Sequence, residues 1–251
     1  MIDLVRRFAR SAMAGCLALV GMTAIVAEPA QAAYVQNFDV VVPAGWSVAN
    51  NNNPSGSIPN WYQGVDPAVE PGSFPAFNGP PTSYAAATYL ATGSTGQIDT
   101  WLISPEFVLN GGETFSFWAR QQDYVGPGNA SGYANALQAR LSTSGGSTNI
   151  GGAYGQVGAF TTLGVDINPN FDLAGFPDVW TQYSFSYLGG PATGRIAFRF
   201  YTPDVTQFGS YIGVDAFETT ANLVPEPTSF ALMGIGLAGL AFRRYRNRVS
   251  A

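Results

Sequence analysis

Histidine and lysine are absent from all 251 residues, and cysteine occurs once, at Cys16. Without imidazole there is no Ser-His-Asp or Cys-His nucleophile and no ordinary zinc site. Without lysine there is no Schiff base and no phosphate-loop lysine. Charged residues make up only 11% of the chain, yet high charge with few aromatics is what disorder requires. Here 14% of residues are aromatic and 46% apolar, enough to fill one sizeable core. The 30 glycines and 17 prolines follow no collagen period and point to many turns.

The two ends read as addresses. Arg6, Arg7 and Arg10 precede an apolar stretch from about Ser11 to Ala27, and Ala30-Gln31-Ala32 forms a small-x-small site. This is the pattern of a secretory signal peptide over residues 1–32, with cleavage expected between Ala32 and Ala33. A retained membrane helix would need the same run without a processing site. At the other end, Pro225-Glu226-Pro227 is followed by an apolar run from Phe230 to Phe242, then Arg243, Arg244, Arg246 and Arg248. These parts, in this order, resemble the PEP-CTERM sorting signal. The resemblance implies sorting over residues 223–251, a short transmembrane segment at 229–242, and an exosortase with the secretion machinery as partners. The physics agrees: thirteen residues from Phe230 to Phe242 at 1.5 Å rise reach roughly 20 Å, short of a ~30 Å hydrocarbon core. Such an apolar helix suits transient insertion in the inner membrane. The arginines after it should stay cytoplasmic, leaving everything before Pro225 outside.

Stripped of both ends, residues 33–224 keep four arginines (Arg120, Arg140, Arg195, Arg199) against thirteen acids. An acidic domain argues against nucleic acid and anionic lipid, both of which select basic surfaces. It has no cysteine for disulfides, and its size does not require them.

Within this middle region the apolar period is two. Residues 114–120, 136–141, 181–187 and 195–201 alternate, bounded by Gly, Pro or Asn clusters. Shorter strands are expected at 35–42, 83–90, 101–103, 107–109 and 211–217, and no capped helical pattern of ten residues occurs. Eight to ten strands without helices predict an all-β fold: a single jelly-roll sandwich of two antiparallel sheets over residues 33–222. The segments Gln36-Asn37-Phe38-Asp39, Pro43-Ala44-Gly45-Trp46, Trp61-Tyr62-Gln63-Gly64, Trp101-Leu102-Ile103-Ser104-Pro105, Phe115-Ser116-Phe117-Trp118, Trp180-Thr181-Gln182-Tyr183, the run from Gly194 to Phe200 and Tyr211-Ile212-Gly213-Val214-Asp215 resemble the choice-of-anchor J domain family. That family is similar to cleaved-adhesin and MAM-type jelly rolls, and the resemblance implies a fold and an address but no shared enzymatic activity. One departure is Ala216, where many relatives carry Asn or Thr.

Of metals, only calcium suits the oxygen ligands on offer. The resemblance implies a structural calcium where first and last strands meet, with Asp39 and Asp215 as ligands and Asp66 and Asn50 to Asn53 as contributors; alternatively these side chains cap turns. Strand parity gives a second constellation. If Phe115, Phe117, Leu137, Leu141, Ile196, Phe198 and Phe200 face the core, then Trp118, Arg120, Arg140, Arg195, Arg199 and Tyr201 face outward with Ser116 and Gln138. If their strands are neighbours in one sheet, they form a basic, aromatic face for acidic exopolysaccharide. The competing account pairs the arginines with acids and covers Trp118 with a loop. Asp99, Glu106 and Glu113 sit near strand ends where a glycosidase would keep its carboxylates, but scattered acids always offer such a trio, so no catalytic residue is assigned. Asn129-Ala130-Ser131 matches a glycosylation sequon. The expectation is an exported, non-catalytic adhesion or polysaccharide-associated protein of a Gram-negative cell envelope or extracellular matrix. The alternatives are a structural surface protein without a specific ligand, or a glycan hydrolase.

Overall fold

The structure is a computed structural model, and it describes residues 34–54, 60–69, 72–92, 95–123 and 132–225. The signal-peptide and cleavage residues, the sorting tail after Pro225 with its expected membrane segment, and the Asn129 sequon lie outside these residues. In chain order the strands are β1 (Tyr34–Gln36), β2 (Ser47–Asn50), β3 (Tyr62–Gln63), β4 (Ala85–Thr88), β5 (Ile98–Ile103), β6 (Phe107–Leu109), β7 (Thr114–Gln121), β8 (Leu137–Ser142), β9 (Thr162–Ile167), β10 (Thr181–Ser186), β11 (Ala192–Thr202), β12 (Tyr211–Thr219) and β13 (Asn222–Leu223). One 3-10 turn, Tyr89–Ala91, is the sole helical element among the described residues, and none of their helices is long and apolar enough to cross a membrane.

The strands form two antiparallel sheets. One runs β10-β7-β12-β4-β3, with β1 also on β12; the other runs β13-β6-β11-β5-β2, with β8 on β11 and β9 on β8. Period-two parity decides what lies between them. Phe115 and Phe117 of β7, Leu137, Ala139 and Leu141 of β8, Ile196, Phe198 and Phe200 of β11, and Ile212 and Val214 of β12 all join one core cluster. Phe198 anchors it, with Phe117 edge-on at 4.8 Å and Phe217 at 5.8 Å.

Phe217 needs a special device to be there. Strict alternation along β12 would put it outward beside Asp215. The register on β7 slips between Asp215 and Glu218, and this bulge returns the ring to the core. Ala216, within the bulge, adopts φ 45°. That left-handed conformation costs an L-residue with a Cβ about 1–2 kcal/mol. Ala216→Gly is expected to raise stability by about 0.5–1 kcal/mol, measurable as a higher urea midpoint; an unchanged or lower midpoint would show that the bulge carries no such strain.

Unusually for a sandwich, both outer faces are also covered. On the β7–β12 sheet, Phe74 and Tyr84 stack at 5.0 Å and pack with Tyr211 and Ala86. Gly213 permits this, because a Cβ there would lie 2.7 Å from the Phe74 ring and 2.9 Å from Tyr84. On the other sheet, Ile150 and Phe160 fold over Trp101, Ile103 and Ala197. Consequently β5 is buried along its whole length.

Candidate functional site

Parity places each expected outward residue outward, but topology divides them. β7 pairs with β10 and β12, whereas β8 and β11 pair with each other. Trp118 and Arg120 therefore lie on the outer face of one sheet, and Arg140, Arg195, Arg199 and Tyr201 on the outer face of the other. The single basic face expected from sequence does not form, because alternation fixes a residue's side and says nothing about which strands are neighbours.

Each half is also engaged by the protein itself. Trp118 stacks on Phe77 with ring centroids 3.8 Å apart, and the Arg120 guanidinium sits 4.3 Å over the Phe74 ring. Burial holds Arg120 below the usual guanidinium range, opposed by Asp178 and Asp123. Across the molecule, Arg199 is 4% exposed and forks onto the fully buried Asp99, Nε to Oδ1 at 2.7 Å and Nη2 to Oδ2 at 2.9 Å. Asp99 also accepts from Trp101 Nε1 at 2.7 Å and Gly155 N at 3.0 Å. Arg199 Nη1 donates to Gln138 Oε1 at 3.2 Å, and Gln138 passes the network to Asp166 at 3.0 Å. Tyr201 donates to Asp166 Oδ1 at 3.3 Å, and its hydroxyl is pushed up by burial and by Asp166. Arg140 donates to Gln138 Oε1 and to the Phe160 carbonyl, while Arg195 donates to the Ser104 carbonyl. Burial, then the Arg199 charge, lowers Arg140. This network fastens the segment carrying Gly155 and Phe160 to the sheet.

The candidate acids for hydrolysis separate likewise. Asp99 is held as above, and Glu113 accepts from Asn110 N and Gly111 N in its own turn.

The proposed calcium ligands converge on one turn. Asp215, fully buried, accepts from Phe77 N and Asn78 N at 2.9 Å each and from Ala216 N at 2.6 Å. The exposed Asp39 lies against the same turn, its Oδ1 3.3 Å from where a Cβ on Gly79 would be. Burial pushes the Asp215 carboxyl up to about 7, against the pull of its three N–H donors, and the Asp39 charge adds to the rise. Asn37, one residue beyond the last β1–β12 pair at Gln36 and Phe217, has a buried Oδ1 without a donor. Two carboxylates and an amide oxygen are hard donors of the kind calcium takes, while the Asp215 oxygens already accept three backbone N–H groups; no cluster of three acidic, His or Cys groups exists among the described residues. Asp66 and the asparagine run contribute elsewhere. Asp66 caps Ala68 N, Asn52 Oδ1 accepts from Asp99 N, and Asn51 Nδ2 donates to the Ala153 carbonyl.

Comparison with known proteins divides between tail and body. Residues 223–246 match the PEP-CTERM protein-sorting motif, which marks a protein exported to the cell envelope and implies processing by an exosortase. No curated protein matches the chain. Among solved structures, the K1 cleaved adhesin domain of Lys-gingipain from Porphyromonas gingivalis W83 is 20% identical over 76% of this chain and 99% of its own, with a TM-score of 0.51. The K3 cleaved adhesin domain of the same protein is 19% identical over 75% and 98%, with a TM-score of 0.48. The first of these likenesses shows the fold: an adhesin-type jelly roll.

Proposed function

We propose that this chain is a non-catalytic module, trimmed at its tail by an exosortase and working at the Gram-negative cell surface or matrix in adhesion to polysaccharide. One observation carries the reading. The sorting motif starts at Leu223, in the last strand, so sandwich and address are joined without a linker. β13 pairs with β6, and Val224 N donates to the Glu106 carbonyl at 2.9 Å, so the fold holds the chain up to the motif itself. The protein delivered to the surface is then essentially the sandwich. A structural calcium at Asp39 and Asp215 belongs to the same proposal, supported by the orphaned Asn37 oxygen and the buried Asp215 carboxyl.

Replacing Pro225, Glu226 and Pro227 together by Ala in the native host is the direct test. Wild-type protein is expected at the envelope or in the medium, with intact mass reporting loss of residues 1–32 and of the arginine-bearing tail. The triple variant should keep the tail and remain with the inner membrane. Equal processing of both would overturn the sorting assignment. Co-sedimentation of the exported protein with host exopolysaccharide tests adhesion, and its absence would leave a structural surface protein.

A further inference from the structure

Where the 3-10 turn after β4 meets the start of β12, Tyr89, Tyr133, Val205, Gly209 and Ser210 line a cavity of about 180 Å³. None of these five side chains is charged. Its two tyrosines are 39% and 44% exposed, unlike the aromatic rings of the core. Tyr89 is positioned by its backbone N, which donates to the Ser210 carbonyl at 2.8 Å. Gly209, at φ 91°, makes the turn that brings Ser210 to the cavity, and its N donates to the Ala134 carbonyl at 2.8 Å.

Ser210 carries the chemistry. It is 1% exposed, its backbone N donates to Asn135 Oδ1 at 2.8 Å, and its Oγ accepts from Asn135 Nδ2 at 2.8 Å. Asn135, fully buried, also donates to Gln121 Oε1 at 2.7 Å, and its carbonyl accepts from Asn168 Nδ2 at 2.8 Å. The amide that holds Ser210 is therefore itself fixed. A serine hydroxyl has one proton to donate, and among the described residues nothing accepts the one on Ser210. A buried donor left without an acceptor is costly, and a ligand oxygen in the cavity would remove that cost.

Phenol rings favour a flat ligand face that is partly apolar, the serine proton suits a hydroxyl or ether oxygen, and none of the described lining residues brings a cation to pair with an anion. The volume is below the roughly 300–1,000 Å³ of sites for drug-sized ligands, which restricts the occupant to one ring. We infer that this cavity binds a single uncharged pyranose ring, a chain end or branch of a polysaccharide, against Tyr89 and Tyr133 with one ring oxygen or hydroxyl accepting from Ser210 Oγ. The inference rests on the polysaccharide reading above and supplies its ligand class. That class is neutral, unlike the acidic one expected from the arginines.

Saturation-transfer NMR with the exported protein and methyl glycosides of glucose, galactose, mannose and glucuronic acid tests it. One neutral glycoside should bind with a Kd of about 1 mM, the range open to a single ring, and the glucuronide should not. Tyr89→Ala should weaken binding about 10-fold. Tyr89→Phe should leave it near wild type, which separates stacking from hydroxyl contacts. Ser210→Ala should weaken it about 5-fold, with thermal melting confirming a folded variant. Binding that survives both Tyr89→Ala and Ser210→Ala overturns the pocket, as does failure of every neutral glycoside. If the protein nevertheless sediments with host exopolysaccharide in either case, the adhesion reading stands and only this pocket is lost.

Discussion

Arg199→Leu is expected to lose about 3–5 kcal/mol of folding stability, the cost of leaving a buried partner charge unpaired. Against the 5–15 kcal/mol of a typical domain, this brings the protein close to unfolding at 37 °C. The geometry supports the upper part of the range: Asp99 is fully buried, and Arg199 supplies both forks of its carboxylate. Deleting the acid as well should not restore stability. With Leu at both positions, Trp101 Nε1 and Gly155 N lose the carboxylate they donate to, and Gln138 Oε1 loses one donor. Urea unfolding of wild type, Arg199→Leu and the double Leu variant checks this. In the single variant, hydrogen exchange should rise first around Gly155, whose amide the carboxylate holds. A loss below about 1 kcal/mol would equate the pair with an exposed ion pair and remove it as the clamp on that segment.

This clamp marks the limit of what the residues reveal before folding. Alternation in β7, β8, β10 and β11 is legible because a core on one side imposes period two, and β6 and β12 are legible as shorter runs. β9 carries no legible strand pattern. Its Gly164 has weak strand propensity, and the glycine is needed because the Phe185 ring lies 2.6 Å from where a Cβ would be. β5 runs Ile98, Asp99, Thr100, Trp101, Leu102, Ile103 with both faces covered, so its polar residues look like a strand end rather than the middle of a network. The expected strand over 35–42 stops at Gln36, since Phe38 takes φ 52° and turns the chain toward the Asp215 turn. Asp39 and Asp215 were legible as a pair only through resemblance. The cavity at Ser210 left no trace, because Tyr89, Tyr133 and Ser210 come from three separate connections.

The Asp215 carboxyl should make stability depend on pH along a slope that bound calcium would flatten. In chelator its proton is held to about 7, against 3.8 for an ordinary aspartate. Between these values the folded state binds a proton that the unfolded chain has released, so stability from this group falls as pH rises from 3.8 towards 7 and is level above. Desolvation is the main cause, and the neighbouring Asp39 charge adds to it. A divalent cation held by the two carboxylates would flatten this slope, since it binds the ionised form and competes with the proton. At a free calcium 100 times its Kd the gain is about 2.7 kcal/mol. The gain should be greater at pH 8 than at pH 5. Asp215→Asn separates these effects. Its amide nitrogen cannot accept from Ala216 N while its oxygen serves Phe77 N and Asn78 N, and that lost acceptor costs about 1–3 kcal/mol against the ionised wild type. It should nevertheless abolish this acid-side slope and the calcium response together. Melting temperatures at pH 5, 6.5 and 8, with EGTA or with calcium, decide the matter. A slope retained by Asp215→Asn would assign the titration to another acid. A calcium response equal in Asp215→Asn and wild type would place any ion elsewhere, leaving Asp215 as the cap that fastens the Phe77–Asn78 turn over Trp118.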